Sequence, residues 1–247
     1  MKMYLFAKRN IKEILREPLN LSFGLGFPLI LLVLLSIVNY SIPEEAMNPM
    51  FEIENLAPGL AMFGTAFMSL FTGMLIAKDR TSSFLTRLFA SPMRAVDYLI
   101  GYTLPTFLIA ICQSTITLLA SLLFGLEFSI WLFLAIPVTA ITSILFIGLG
   151  LLCGSIMNDK AVGGVCGALI TNIAGWLSGV FIPIELIGGV FASLCKVLPF
   201  YHSVEAIKTT LSGDLLGMLP HLGITIIFAI IIYVAAIFVF NKKMHNN

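Results

Sequence analysis

The chain has 247 residues, of which 59% are hydrophobic and 11% charged, and its formal net charge is +1. Soluble domains contain roughly 45–50% apolar and about 25% charged residues, so this composition excludes an ordinary soluble protein. The mean hydropathy of +1.02 instead predicts an integral membrane protein. The near-neutral charge gives no sign of a nucleic-acid partner, and none is expected.

The first segment, residues 1–18, is predicted to be an amphipathic helix that ends at Pro18. Met3, Ala7, Ile11, Ile14 and Leu15 share its apolar face. Its polar face carries cations that include Arg9, Lys12 and Arg16. The helix could anchor the chain at the membrane surface or could also contact a cytoplasmic partner, and the pattern leaves both roles open.

Six stretches are apolar and long enough to cross a bilayer, which takes about 20 residues each. They are predicted at residues 21–40, 56–77, 98–124, 130–157, 161–184 and 222–240, within a transmembrane domain of residues 19–243. With both termini in the cytoplasm, every Lys and Arg except Lys196 and Lys208 falls on the cytoplasmic side. The fold class is therefore predicted to be an all-α, six-span protein of the cell (plasma) membrane, which we expect to be bacterial.

The predicted spans contain no Asp, Glu, Lys, Arg or His, and their strongest polar groups are Asn39, Gln113 and Asn172. Ion- and proton-coupled carriers need ionisable groups at membrane depth, so these classes are disfavoured. The chain also lacks the G-x-x-x-x-G-K-[ST] phosphate loop. If the protein moves a substrate, the energy is expected to come from another subunit.

Residues 78–97 form a predicted cytoplasmic loop that carries Lys78, Arg80, Arg87 and Arg94. A short helix is expected to begin at Thr81 or Ser82 and to run to about residue 90, before Ser91 and Pro92. Its apolar face consists of Phe84, Leu85, Leu88 and Phe89. Two interpretations remain open: a helix bound to anionic lipid, or a lever docked in a groove of a cytoplasmic motor protein.

The segment at residues 185–218 is predicted to be extracellular and re-entrant or interfacial, because its apolar run of residues 186–195 is too short to cross. His202 and Glu205 could ligate a metal, and with His221 they suggest a membrane-embedded enzyme as a rival function. Two ligands without a third make this interpretation weak. We therefore predict no catalytic residue and no metal site.

Three regions together resemble the ABC-2 type permease family, the six-span membrane subunits of ATP-binding cassette exporters. The amphipathic N-terminal helix is similar to that family's elbow helix. The loop "AKDRTSSFLTRLFASPMRAVDYLIGY" resembles its coupling segment, although Asp79, Arg80, Ser82 and Ser83 depart from the Glu and Gly found in many relatives. The third region, "WLSGVFIPIELIGGVFASLCKVLPFYHSVEAIKTTLSGD", resembles the end of span five and a re-entrant hairpin.

The resemblance implies one half of a translocation unit that pairs with a second copy or a sister permease. Separate ATP-binding cassette ATPase subunits would hold ATP and Mg, with no cofactor in this chain. ATP hydrolysis there would drive export of an amphipathic, drug-like, lipid-like or peptide substrate. A non-transporting immunity or scaffold protein is the alternative.

The same resemblance assigns roles to individual residues. The coupling residues would be Phe84, Leu85, Arg87, Leu88, Phe89 and Pro92, and the extracellular gate would be Val180, Phe181 and Pro183. A pathway could be lined by Phe63, Phe67, Thr171, Asn172 and Trp176, although ordinary helix packing would explain these residues equally well.

Overall fold

The computed structural model describes residues 2–43, 49–82, 84 and 94–245, and the regular elements within those ranges are all helical. Six helices of this part of the chain are long and apolar enough to cross a membrane. They are Ser22–Ser41, Ile53–Thr81, Ala95–Phe124, Trp131–Ile156, Asp159–Leu177 and Leu215–Lys242, numbered here span one to span six. The prediction of an all-α protein with six spans is confirmed.

Several helix ends differ from the predicted ones for local reasons. Span two continues through Asp79 and Arg80, whose charges meet partners on neighbouring elements. Span five ends at Leu177, well before residue 184, since Gly179 adopts a φ of +90° that a helix cannot continue. Span six begins at Leu215, where the carboxylate of Asp214 accepts a hydrogen bond from the backbone N–H of Gly217 at 2.9 Å.

Two spans contain a wider π-helical turn. In span one this turn covers Ser22–Gly26, and the α-helix Phe27–Ser41 follows directly with Pro28 in its first turn. Pro28 has no N–H to donate and its ring crowds the preceding turn, which explains why the helix widens there. Span five contains a second π-turn at Val165–Ile170, for which the sequence offers no comparable cause.

Spans two and four form the centre of the bundle. Glycine at positions 150 and 154 lets the two backbones meet, because a Cβ at Gly150 would overlap the carbonyl of Ser69 and one at Gly154 would lie 2.5 Å from the carbonyl oxygen of Gly73. This is the close approach that a small-xxx-small spacing permits. Span two is accordingly enclosed, with 89% of its apolar window buried inside the chain.

Short helices cover the two ends of the bundle. At the end that carries both termini, which we call the basic end, the N-terminal helix Lys2–Leu15 packs on spans two and three. At the opposite end, called here the far end, three helices connect span five to span six: Ile184–Ile187, Gly189–Val197 and Pro199–Leu211. The last of these packs on spans two, four and six and stacks Phe200 on Phe146.

Candidate functional site

The N-terminal helix contacts the bundle through a face that centres on Asn10. Phe6, Ala7, Asn10 and Ile14 are buried, whereas Leu15, predicted on the apolar face, is 60% exposed. Asn10 belongs inside because its side-chain amide donates to the backbone carbonyl of Gly101 at 3.0 Å. The helix is thus docked at one point of span three by a buried hydrogen bond, in addition to its apolar contacts.

Glycine at position 101 makes this docking possible. A Cβ there would overlap the ring of Phe6. That ring also packs edge-on against Tyr102, with ring centroids 4.9 Å apart, and against Tyr98 at 6.0 Å. The glycine at the entry of span three therefore has a local packing reason in this fold.

A buried carboxylate joins three elements at the same place. Asp79 of span two is 2% exposed, and its Oδ2 accepts hydrogen bonds from Arg9 Nη1 at 2.5 Å and from the hydroxyl of Tyr102 at 2.8 Å. Removing a carboxylate from water is costly unless a counter-charge and donors replace the water. Arg9 and Tyr102 supply both, so the N-terminal helix is tied ionically to spans two and three.

The charge on Arg9 is permanent. Partial burial lowers the pKa of Arg9, but its hydrogen bond to Asp79 and the charges of Asp79 and Glu13 outweigh that effect and leave the pKa raised. An arginine whose pKa is raised further does not lose its proton in any cellular compartment. The pair can therefore respond to movement of the helices, but it cannot act as a proton switch through Arg9.

Phe84 is the only predicted coupling residue within the described part of the chain. The Arg9 guanidinium lies over its ring, 4.4 Å from the centroid, and Phe84 packs against the cluster that contains Phe6, Ile14 and Tyr98. The other predicted coupling residues lie outside the described residues: Leu85, Arg87, Leu88, Phe89 and Pro92. The first aromatic residue of the loop thus contacts the N-terminal helix.

Two cations at the end of span two, where the predicted loop starts, bind other elements. Arg80 donates to the backbone carbonyls of Ser155 at 2.5 Å and of Met157 at 2.7 Å, where span four ends. A cation at this position also interacts favourably with the helix dipole. Lys78 forms an ion pair with Glu17, just beyond the N-terminal helix. We call the set Arg9, Asn10, Asp79, Arg80 and Tyr102 the junction; it connects the loop to the N-terminal helix and to spans three and four.

The remaining predicted residues of the N-terminal helix lie outside the junction. Lys12 and Arg16 are exposed, and Arg16 lies 3.8 Å from the partly exposed carboxylate of Glu13. Exposed pairs of this kind contribute little to stability. Among the three predicted cations, Arg9 is the one with a buried partner.

Part of the predicted pathway and gate forms one row of aromatic rings. Phe63 contacts Phe67 at 5.7 Å and Phe181 at 4.9 Å between ring centroids, and Phe27 of span one contacts both Phe63 and Phe67. Gly175 lies under Phe181, where a Cβ would be 2.5 Å from the ring. The row runs along the contact between spans one, two and five.

The other predicted pathway residues lie apart from that row. Thr171 is buried and donates to backbone carbonyls of its own helix, at Gly167 and Ala168. Asn172 and Trp176 lie on the exposed side of span five, where Trp176 is 50% exposed. At the gate, Val180 is buried against Gly59 and Pro183 is partly exposed. One chain alone therefore does not bring all five pathway residues together.

The histidines of the suggested enzyme form a hydrogen-bonded pair. His202 Nδ1 lies 2.7 Å from His221 Nδ1, and His202 Nε2 lies 2.9 Å from the carbonyl oxygen of Lys196. A neutral His202 donates from Nε2 to Lys196 and accepts at Nδ1 from His221. Within the described ranges, no group of three His, Cys, Asp or Glu residues could hold a metal ion.

Sequence reasoning missed Asp79, Asn10 and Tyr102 as the buried contacts of the junction. The signal available for Asp79 was its place: it is the acidic residue within a basic stretch, immediately after an apolar span. Asn10 was hidden among the polar residues of an amphipathic helix. Nothing in the sequence alone indicates that Tyr102 faces span two.

Comparisons with known proteins agree with this architecture. A family model described as ABC-2 type transporter matches residues 1–211. Nodulation protein J of Rhizobium leguminosarum bv. viciae is 24% identical to this chain over 122 residues. That match covers 48% of this chain and 47% of the relative, so it spans about half the length of either protein.

Proposed function

The chain belongs to the ABC-2 type transporter family, and from this premise we propose that it is the membrane half of an exporter driven by a separate ATP-binding cassette ATPase. It is a multi-pass membrane protein, and the members of its family are components of transporters. The observation that carries the proposal is the family match, which covers all of the junction and the first five spans. The charged residues lie near or beyond the ends of the spans, which favours an external energy source.

The basic end is proposed to be cytoplasmic, and the far end extracellular. In this orientation the N-terminal helix acts as an elbow helix, and residues 78–97 form the loop that meets the ATPase. The junction supports this role, since Arg9, Asp79 and Arg80 connect the start of that loop to three elements at once: the N-terminal helix, span three and span four. A push on the loop would be transmitted to the N-terminal helix and to spans two, three and four.

Coupling requires that the two states of the motor contact the permease differently. We propose that the apolar residues Leu85, Leu88 and Phe89, with Arg87 and Pro92, contact the motor. Phe84 would link that contact to Arg9. ATP and Mg would be bound in the ATPase subunit.

Span five supports the proposal that a second permease subunit completes the unit. Only 28% of its apolar window is buried by this chain, and its uncovered side carries the amide of Asn172. Polar groups at membrane depth face protein or a water-filled cavity rather than lipid. Burial alone does not select the interface, because span six is 17% buried and span one 22%. A second copy or a sister permease against spans one and five would cover both.

The aromatic row and the exposed Trp176 suit an amphipathic, drug-like, lipid-like or peptide substrate. Aromatic faces accommodate apolar groups and cations without demanding a single ligand shape. We propose that the gate at Val180, Phe181 and Pro183, together with a re-entrant hairpin built from the three short helices, closes the far end of the path.

Co-purification tests the proposed function. The tagged chain would be isolated at native expression level in a mild detergent, and its partners identified by mass spectrometry. We expect a subunit with a Walker A motif in equal ratio. Leu88→Asp should remove that subunit, because a charge would be placed in an apolar groove. Phe128→Asp, in the loop between spans three and four and 71% exposed, is the matched control and should retain it.

Either of two results would overturn the proposal. Recovery of the chain without any ATPase would favour the scaffold alternative. Retention of the ATPase by the Leu88→Asp variant would show that the apolar face of the loop does not bind the motor. A membrane-insertion check on both variants separates loss of binding from loss of the protein.

A further inference from the structure

A cavity of about 230 Å³ lies at the far end of the bundle. The segment before span two, the end of span five and the helix Pro199–Leu211 surround it. The apolar part of the lining consists of Val180, Pro183, Ile184, Leu186 and Val204. The rest of the lining includes Asn55, Tyr201, Glu205 and Lys208. The cavity is therefore amphipathic, with opposite charges on its polar side.

The two charges have no counter-charge in the described part of the chain. Glu205 and Lys208 are three residues apart on one helix, a spacing that allows an ion pair. The ion pairs found among the described residues are all at the basic end and do not include these two. A carboxylate and an ammonium group thus line the same cavity without neutralising each other.

This lining selects for a particular ligand chemistry. A simple anion or cation would be attracted by one of the two groups and repelled by the other, and an apolar molecule would pair with neither the half-buried Glu205 nor the exposed Lys208. A ligand with both charges on a short polar group can pair with Glu205 and Lys208, and an attached apolar part can contact the apolar lining. The volume of about 230 Å³ is large enough to admit a headgroup the size of phosphoethanolamine.

The surroundings provide a place for the apolar part. The cavity lies beside the first residues of span two and the last residues of span five, where we expect the bilayer boundary. Leu186, part of the apolar lining, is 74% exposed. Two residues that follow it are also exposed, Ile187 at 54% and Val190 at 88%. An acyl chain attached to a headgroup in the cavity can lie along these exposed side chains.

We propose that this cavity is a binding site for the headgroup of a zwitterionic amphiphile. Glu205 accepts hydrogen bonds from the ligand's ammonium group, and Lys208 pairs with its phosphate. Two sources share this chemistry: a phospholipid of the surrounding leaflet, and an amphiphile carried by the protein. The site is a property of this chain and does not depend on an ATPase subunit.

Titration of the purified full-length chain tests the proposal. The probe is dihexanoyl phosphatidylethanolamine, and the comparison lipid is dihexanoyl phosphatidylglycerol, which has the phosphate but lacks the ammonium group. We expect saturable binding of the ethanolamine lipid, about tenfold tighter than that of the glycerol lipid, since one charge-assisted contact is lost. The readout is the dissociation constant from the ligand-dependent shift of the unfolding temperature.

Neutral variants of similar shape locate the site. Glu205→Gln and Lys208→Met should each weaken binding of the ethanolamine lipid about tenfold. Glu127→Gln and Lys196→Met remove the same charges outside the cavity lining and should leave the constant within about twofold. Equal affinity for the two lipids, no saturable binding, or loss in the control variants equal to that in the site variants would each overturn the proposal.

Native mass spectrometry of the untreated protein distinguishes the two sources. A phosphatidylethanolamine that co-purifies with the chain, and is lost in the Lys208→Met variant, identifies the leaflet lipid as the occupant. Saturable binding of the added probe without any co-purified phospholipid identifies a site kept open for a transported amphiphile. Both results support the zwitterionic site, and the titration alone decides whether it exists.

Discussion

At the scale of single residues, Asp79 is the point where the elements of the basic end meet. Its carboxylate is almost fully buried, and its donors come from the N-terminal helix and from span three. Losing one partner of a buried pair leaves an uncompensated charge, which costs more than the pair itself contributes. The stability of the docked N-terminal helix should therefore depend strongly on Arg9.

Arg9→Ala should lower the free energy of unfolding by about 2 kcal/mol or more, since Asp79 would stay buried without its cation. Solvent screens part of the Arg9–Asp79 interaction, because the Arg9 side chain is 33% exposed. Arg16→Ala removes the same charge from a side chain that is 74% exposed and should change stability by less than about 0.5 kcal/mol. Thermal unfolding of both variants in one detergent measures the difference.

A second substitution separates the ion pair from general damage. Asp79→Asn in the Arg9→Ala background removes the stranded charge and should recover part of the lost stability. Equal destabilisation by Arg9→Ala and Arg16→Ala would show that the buried pair contributes nothing of its own.

The histidine pair predicts a pH effect at the far end. Burial lowers the pKa of His202, the hydrogen bond to the Lys196 carbonyl opposes this, and the neighbouring His221 lowers it further. The folded protein therefore takes up a proton at His202 less readily than the unfolded chain. This contribution to stability is complete above pH 6.5, the ordinary histidine value, and is lost as the pH falls through the lowered pKa.

We expect the unfolding temperature to stay constant above about pH 6.5 and to fall as the pH is lowered from there toward about pH 5. In His202→Gln the pH dependence over this interval should shrink. An unchanged pH profile in that variant would assign the effect to other groups.

At the scale of secondary-structure elements, the contact between spans two and four depends on the absence of side chains at two positions. The carbonyls of Ser69 and Gly73 occupy the space that a Cβ at Gly150 or Gly154 would need. Backbone atoms cannot turn aside as a flexible side chain can. Any larger residue must therefore separate the helices.

Gly154→Ala should destabilise the protein by about 1–3 kcal/mol, the usual cost of overpacking. Gly223→Ala in span six is the matched control, since no atom lies within 4 Å of a Cβ placed there. It should be neutral or slightly stabilising, because alanine favours helix more than glycine does. Unfolding temperatures of the two variants compare the effects, and equal values would contradict the close approach.

At the scale of the whole molecule, the exposed surfaces of spans five and six differ in chemistry. Span six presents aliphatic and aromatic side chains such as Ile227, Ile230 and Val234, which suit contact with lipid. Span five presents Asn172 and Trp176. The Asn172 amide donates one hydrogen bond to the Ala168 carbonyl of its own helix at 2.7 Å, and its remaining donor and acceptor sites favour a polar or protein environment. The two faces are therefore expected to have different neighbours.

The sequence predicts the number and order of the spans because each is a long apolar run, a local property. It does not predict Asp79 as part of span two, since a rule that ends a span at the first charge stops at residue 77. The sequence predicts only part of the aromatic row. It indicates Phe63 and Phe67 for the pathway and Phe181 for the gate, but the fold is needed to place Phe27 against Phe63 and Phe67, because tertiary packing decides which helices are neighbours.

Site-specific photo-cross-linking tests the central claim, that this chain is one of two membrane halves moved by ATP. Benzoylphenylalanine would replace Asn172 in one variant and the lipid-facing Ile230 in the control. We predict that position 172 cross-links to a second permease subunit in native membranes with a yield that changes when ATP is added, while position 230 gives no such product. Equal cross-linking at both positions, or a yield at 172 that ignores ATP, would contradict the account.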